Sequence, residues 1–192
     1  MAELIGIGGR LRHGKDAVAD FLEAEYGYVV QGMNEDMTGA LRVLNPVIGV
    51  DPRGAVVTFA GLMDSVGYTQ AKGHAEFRRL LQCFGTDVMR NLVGENVWAE
   101  LAAKRVQRYL DEGRDVILTG IRYDNELHMV ESLGGRTWWV DASERVGAPE
   151  VLHSSENSLS AANFEVVIDN NGTLDELYAT VRSEVAEQPK VV

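Results

Sequence analysis

A single cysteine, Cys83, stands in 192 residues. A lone thiol closes no internal disulfide and supplies no zinc site built from several cysteines. Set in an apolar helical stretch, it reads as a packing residue. Positive charge is also scarce. The 18 Lys and Arg face 29 Asp and Glu, a formal net charge of −11. An acidic chain repels polyanions, which argues against non-specific DNA or RNA binding. No apolar run approaches the ~18 residues of a membrane-crossing helix, and no charged-then-apolar leader opens the chain. The expectation is a soluble cytoplasmic protein with neither a nucleic-acid nor a membrane partner. The 45% hydrophobic content can fill a core, so global disorder is not expected. The length suits one sizeable domain better than two.

What the chain does have is a glycine loop in a telling place. Gly9-Arg10-Leu11-Arg12-His13-Gly14-Lys15-Asp16 follows the apolar run Leu4–Gly8 and precedes the amphipathic run Ala17–Leu22. Strand, glycine loop, helix is the order that a phosphate-binding loop, or P-loop, requires. Glycines at both ends let the backbone curl without Cβ clashes. The loop amides and the free N–H groups of the helix start then converge on one spot where an anion fits. Gly9, Arg10, Arg12, His13, Gly14, Lys15, Asp16 and Ala17 are therefore the candidate nucleotide-binding residues. Lys15 is suited to reach β- and γ-phosphates as a mobile point charge. The pattern usually ends in Ser or Thr, whose hydroxyl binds Mg²⁺, but Asp16 stands there. Its carboxylate is a hard oxygen ligand for Mg²⁺, or a favourable charge at a helix N-terminus.

Further along, helical spacing places Val18, Phe21 and Leu22 on one face, with Gly27 as the stop. Tyr28–Val30 reads as a second strand. Asn34 is placed to cap a helix over residues 36–44, which Asn45-Pro46 ends. Residues 47–54, with Pro52 and Gly54, read as a loop, and 56–66 as a helix weakened by its β-branched residues. A stronger helical pattern covers 75–91, interrupted at Gly85, and another covers 97–110. Asp115–Thr119, Arg136–Val140 and Phe164–Ile168 read as strands. Residues 141–162 read as loop with a helical turn or two. Thr173 and Glu176 have the spacing of a capping box on the last helix. Alternating strands and helices predict an α/β fold of P-loop NTPase type, a parallel sheet flanked by helices. Residues 1–33 and 113–192 would form its core. The helical block of about 34–112 is too long for a simple crossover and would fold over the site as a substrate-binding, lid-like insertion.

Ligands in such sheets bind beyond the carboxyl ends of the strands. Phosphoryl transfer needs positioned phosphates and cations that accept spreading charge. Guanidinium suits bidentate phosphate contacts, which makes Arg78, Arg79, Arg90 and Arg122 candidates. Arg122 has the stronger case because it follows a strand; Arg79 is equally well explained as a surface ion pair.

The run Arg78 to Arg90, followed by Asn96-Val97-Trp98, resembles the R-x-x-L-Q-x-x-G-T-x-x-x-R…W block of bacteriophage deoxynucleoside monophosphate kinases. Gly14-Lys15-Asp16 is similar to their glycine loop, Asp included. Ile121–Glu126 resembles their post-strand segment, His153-Ser154-Ser155-Glu156 their H-x-S-E element, and Phe164–Leu174 their last strand and helix start. The resemblance implies transfer of the ATP γ-phosphoryl group to a dNMP, with Mg²⁺. It assigns Lys15 to the transferring phosphate and Arg78 to the acceptor phosphate. Arg90 and Arg122 would hold the acceptor or neutralise charge, and Asn125 would lie on the acceptor side. Trp98 would stack on or wall the nucleoside, or simply fill the core. Gln82 would read a base edge or satisfy a backbone group. His153 and Glu156 would order a loop near the donor or form a polar network. The resemblance also suggests a homodimer, and the host cytoplasm for a phage-encoded chain.

Two departures stand out. Gly120 replaces an Asp common in the family just after the strand, leaving Asp16 or Asp124 as the metal-shell carboxylate. The lid arginine of relatives has only Arg145 as a counterpart. The alternatives kept open are a P-loop kinase for another small acceptor and a noncatalytic nucleotide-binding protein.

Overall fold

The computed structural model describes residues 2–147 and 159–186. Its chain divides into two compact units, Met1–Met33 with Ala99–Val192, and Asn34–Trp98.

The first unit is built on a five-stranded sheet in the order β2-β5-β1-β6-β7. The strands are β1 (Leu4–Gly8), β2 (Val29–Gly32), β5 (Val116–Ile121), β6 (Arg136–Asp141) and β7 (Val166–Asp169). All four pairings are parallel, as expected from the alternation of strands and helices. Side chains alternate between the faces of a strand, and the sequence feeds both faces with apolar groups. Ile5, Ile7, Ile117, Trp138, Val140 and Ile168 face one side, where they meet Val18, Phe21 and Leu22 of α1 (Lys15–Tyr26) and Leu177 and Val181 of α9 (Leu174–Ala186). Leu4, Val116, Leu118 and Trp139 face the other. There they meet Ala99, Ala102 and Val106 of α6 (Val97–Asp111) and Leu127 and Val130 of α7 (Asp124–Ser132). A sheet buried on both faces reads as the continuous apolar runs found at residues 4–8 and 116–121.

Helix ends follow their sequence signals in part. Gly27 closes α1 at φ +77, its N–H bonded to the Glu23 carbonyl at 3.0 Å. Thr173 and Glu176 form the capping box: Thr173 N–H donates to Glu176 Oε2 at 2.7 Å, and Glu176 N–H donates to Thr173 Oγ1 at 3.3 Å. The Thr173 N–H, joined by the Thr173 hydroxyl donating to the same oxygen at 2.9 Å, lowers the Glu176 carboxyl pKa from its ordinary value. Asn34 makes no side-chain cap on α2 (Glu35–Leu44); its amide bonds the Tyr68 hydroxyl instead.

The second unit differs from expectation in two places. Residues 47–54 are not a plain loop. β3 (Val47–Val50) and β4 (Val56–Thr58) form an antiparallel hairpin, and α3 (Phe59–Val66) begins only after it, capped by Thr58. The helix expected over 75–91 changes character midway. α5 (Ala75–Gln82) runs into a π-helical segment, Cys83–Val93. The core of this unit gathers Leu41, Ile48, Phe59, Ala71, Phe77 and Leu81, with Phe59 and Phe77 stacked at 4.1 Å between ring centroids. α4 (Tyr68–Ala71) links α3 to α5. From Ala99 on, α6 packs into the core of the sheet unit, so the second unit is shorter than the helical run of the sequence. No described helix is long and apolar enough to cross a membrane.

Gly6 in β1 marks how tightly the central strand is covered. A Cβ there would stand 2.5 Å from Ile121 Cδ1 and 2.9 Å from Val130 Cγ2. Gly6→Ala should therefore cost about 1–3 kcal/mol, read as a lower urea midpoint at unchanged slope. A midpoint equal to wild type would show that Ile121 and Val130 yield freely.

Candidate active site

Residues 9–14 leave the carboxyl end of β1 and return as the first turn of α1. Gly14 is the N-cap at φ +94, and no side chain caps the helix. Asp16 lies exposed in the first turn. It is not the cap, but its charge there favours the helix dipole. Arg12 is held at φ +65, a left-handed conformation that a non-glycine residue adopts only under constraint. The Lys15 ammonium curls over the loop and donates to the carbonyls of Gly9 and Arg10, each at 2.7 Å. His13 N–H closes the loop on the Arg10 carbonyl at 3.2 Å.

The loop is anchored from behind. The His13 side chain is only 2% exposed, and its Nδ1 accepts the Ala142 N–H at 3.0 Å. An accepting Nδ1 requires the neutral ring protonated at Nε2. Asp141 Oδ1 lies 3.5 Å from the same nitrogen. Burial pushes the His13 pKa down, against the pull of that carboxylate. The imidazole thus serves the loop as a buried brace. Asn170, directly after β7 and 6% exposed, donates from Nδ2 to the His13 carbonyl at 2.8 Å. Its own N–H donates to the Asp141 carbonyl at 2.7 Å.

Beside the loop, β5 carries a bulge. Ile7 of β1 pairs with Thr119 and Gly8 with Ile121, so Gly120 is the extra residue. It sits at φ +86, and a Cβ placed on it would meet nothing nearer than Met33 Cβ at 4.0 Å. Space is therefore available at 120; the backbone conformation is what selects glycine. Just beyond, Glu126 is 5% exposed, and its carboxylate accepts from the N–H groups of Arg122 at 2.8 Å and Tyr123 at 3.3 Å. This ties the turn into α7. Gly9, Lys15, Gly120, Arg122, Trp139 and Leu159 border one hollow. Lys15 and Arg122, two of the cations expected from sequence in this unit, thus border the same hollow. Asp124 is exposed and Asn125 half-buried in the first turn of α7. Ala17 lies in the first turn of α1.

Arg145 lies on the single turn α8 (Ser143–Val146). Its Nε donates to the Asn170 carbonyl at 3.1 Å, and Asn171 Oδ1 accepts the N–H groups of Glu144 and Arg145. The segment after β6 is thereby fastened to the turn after β7. His153 and Glu156 lie outside the described residues.

In the second unit, Arg78 is exposed, and its Nε donates to the Lys72 carbonyl at 3.0 Å. Its side chain makes no other hydrogen bond among the described residues. Arg79 is engaged by Glu76 through two bonds of 2.7 and 2.6 Å, the surface ion pair weighed from sequence. Gln82 is exposed, so it satisfies no buried backbone group. Arg90 is half-buried on the π-helical segment. Trp98 is 7% exposed and gives its indole N–H to the Gly85 carbonyl at 2.9 Å. That burial favours the packing role over an open stacking face. Lys72, its ammonium 4.7 Å over the Tyr68 ring, is a cation beside Arg78 that the sequence did not single out. Asn170 was also missed, because Asp169-Asn170-Asn171-Gly172 has the composition of an ordinary turn.

A parallel sheet whose first strand feeds a glycine loop, with a lysine and an arginine around one hollow, defines a P-loop kinase fold. Solved structures agree on the fold. A sugar kinase from Janibacter sp. HTCC2649 superposes with a TM-score of 0.50 at 13% identity, covering 100% of this chain and 99% of that one. TT1252 from Thermus thermophilus does so with a TM-score of 0.50 at 18% identity, covering 98% of each. The family description for deoxynucleotide monophosphate kinases matches residues 50–181, and the chain belongs to that family. The deoxynucleotide monophosphate kinase of Escherichia phage RB69 is 30% identical over 105 residues, 54% of this chain and 42% of that protein. That of Enterobacteria phage T4 is 27% identical over 107 residues, 55% of this chain and 44% of that protein. The matched stretch spans less than half the length of either relative. The family match takes in Arg78, Arg90, Trp98, Arg122 and Arg145 but begins after the glycine loop, which rests on its own geometry.

Protonating His13 would set two donors, Nδ1–H and the Ala142 N–H, against each other inside the protein. The depressed folded-state pKa means that the unfolded chain takes up the proton first as pH falls. The stability from neutral His13 is complete above its ordinary value of 6.5 and is withdrawn as pH drops below it. The urea midpoint should fall between about pH 7.5 and 5.5, and fall less in His13→Asn, whose Oδ1 can accept the same N–H. Equal slopes in the two proteins would remove His13 from the acid response.

Proposed function

We propose that the chain transfers the γ-phosphoryl group of ATP to a deoxynucleoside 5′-monophosphate, giving the diphosphate for DNA precursor synthesis. The observation that carries this reading is the hollow at the glycine loop, bordered by Lys15 and Arg122, in a chain of the deoxynucleotide monophosphate kinase family. The transferred group spreads negative charge over its equatorial oxygens, and fixed cations stabilise that charge without rearranging. Gly9, Arg10, Arg12, His13, Gly14 and Ala17 contribute the loop that cradles the donor phosphates, and Lys15 holds the transferring one. Arg122 presents a guanidinium with no hydrogen bond to another described residue beside that lysine. Arg145 steadies the donor side.

The Asn34–Trp98 unit supplies the acceptor residues. Arg78, its Nε bonded to the Lys72 carbonyl, keeps its two terminal nitrogens for a phosphate, as a bidentate clamp requires. Arg90 adds charge, Gln82 is free to read a base edge, and Trp98 supports the unit from within. Asn125 serves from α7.

Among the described residues no group of three or more His, Cys, Asp or Glu is arranged to hold a metal. Mg²⁺ keeps several waters and binds through one or two carboxylates plus substrate phosphates, so it needs no larger cluster. Asp16, exposed in the first turn of α1, is the first candidate carboxylate for it, with Asp124 the second. Bound there, the ion would neutralise phosphate charge.

A coupled assay for ADP release, run with ATP, Mg²⁺ and a panel of nucleoside monophosphates, tests the proposal. Turnover with dNMPs is expected. ATP hydrolysis without an acceptor, nucleotide binding without turnover, or turnover with a non-nucleotide acceptor only would each replace it. Lys15→Ala should lower turnover by about a hundredfold or more with the fold intact. Arg78→Ala should raise the acceptor KM more than the ATP KM; an effect on ATP alone would reverse the two assignments.

A further inference from the structure

We infer that Asn170 is a positioning residue for the phosphate loop: it locks the 13–14 peptide so that the Gly14 N–H faces the bound phosphate. The inference rests on the phosphate-loop reading above. In a trans peptide the carbonyl and the following N–H point in opposite directions, and the chain has no cis peptide bond among the described residues. Asn170 Nδ2 holds the His13 carbonyl at 2.8 Å. The Gly14 N–H is therefore turned to the side away from the end of β7. Gly14 is the N-cap of α1, so its N–H has no acceptor within the helix. It is one of the amides that an anion would meet first.

The contact is built on both sides. A Cβ on Gly14 would come within 2.2 Å of Asn170 Nδ2, so the glycine is what admits the amide. Asn170 cannot drift, because its N–H is bonded to Asp141 and its carbonyl accepts from Arg145 Nε. Asp141 also precedes Ala142, whose N–H holds the His13 ring. One face of the loop is thus gripped at the His13 ring and the His13 carbonyl, both from the ends of β6 and β7. Without the clamp, the 13–14 peptide is free to rotate, and ordering it on binding would cost affinity. The residue acts on the phosphate chain and not on the acceptor.

The test uses the full chain with Asn170→Ala and the shorter but still polar Asn170→Ser, titrated calorimetrically with inorganic tripolyphosphate and Mg²⁺, alongside thermal melts. A clamp predicts a fivefold or greater loss of tripolyphosphate affinity in the folded variants, a matching rise in the ATP KM, and an unaltered acceptor KM. A residue that only stabilises the fold would lower Tm while the folded fraction binds tripolyphosphate within fivefold of wild type, and that result overturns the inference. Should Asn170→Ala fail to fold, Asn170→Ser decides, since its short polar side chain keeps the site hydrophilic and cannot span to the His13 carbonyl. Wild-type protein that binds no tripolyphosphate would defeat the phosphate-loop reading itself. Wild type that binds, with variants that bind alike, would defeat the clamp alone.

Discussion

Collecting several backbone N–H groups on one side of a short loop works against the electrostatics of the loop itself. Parallel amide dipoles repel, and no apolar side chain of the loop is available to hold them by burial: Leu11 is 61% exposed. The turn persists because its carbonyls are drawn off in other directions. Lys15 takes those of Gly9 and Arg10, and Asn170 takes that of His13. The buried imidazole supplies the remaining fastening through Ala142. Where the loop's acceptors are tied thus sets which way its N–H groups turn, and the ends of the strands carry the tie points. Arg12, at positive φ, is a strain of about 1–3 kcal/mol that such fastening has to sustain.

The sheet does this through alternation and tight cover. Trp138 and Trp139 are neighbours in β6 yet serve opposite cores. Phe164 packs against Trp139 at 5.2 Å and occupies the space left by Gly8, where a Cβ would approach within 2.2 Å of its ring. The glycines of β1 are thus filled from outside by larger groups. These contacts hold the end of the strand from which the loop departs.

The five strands of the sheet and the helices after β1 and β7 were readable because burial on both faces leaves an apolar run that composition alone exposes. The β3–β4 hairpin was not. Val47, Val50 and Val56 are 62%, 69% and 63% exposed, so no periodicity marks a buried face, and Pro52 and Gly54 suggested only a loop. The π-helical stretch after Gln82 was hidden for another reason: the same residues suit an α-helix, and only the hydrogen-bond spacing differs. Asn34 misled because its side chain had a better partner in Tyr68 than the helix end. Among site residues, Lys15 and Arg122 were visible from glycine-loop and post-strand position. Asn170 and Lys72 were not: the first matters through the distant backbone carbonyl that its side chain meets, the second through the aromatic ring under its ammonium.

The bulge at Gly120 has an effect on what substitution can achieve. One surplus residue in β5 changes which side of the strand every later side chain takes, so Ile121 enters the core at 2% exposure while Arg122 emerges into solvent. Installing an acid at 120 by exchange of a single codon would put a Cβ-bearing residue into a left-handed turn, and excising the residue would invert the two neighbours. A carboxylate on this rim would therefore have to accept the left-handed backbone that glycine takes without strain.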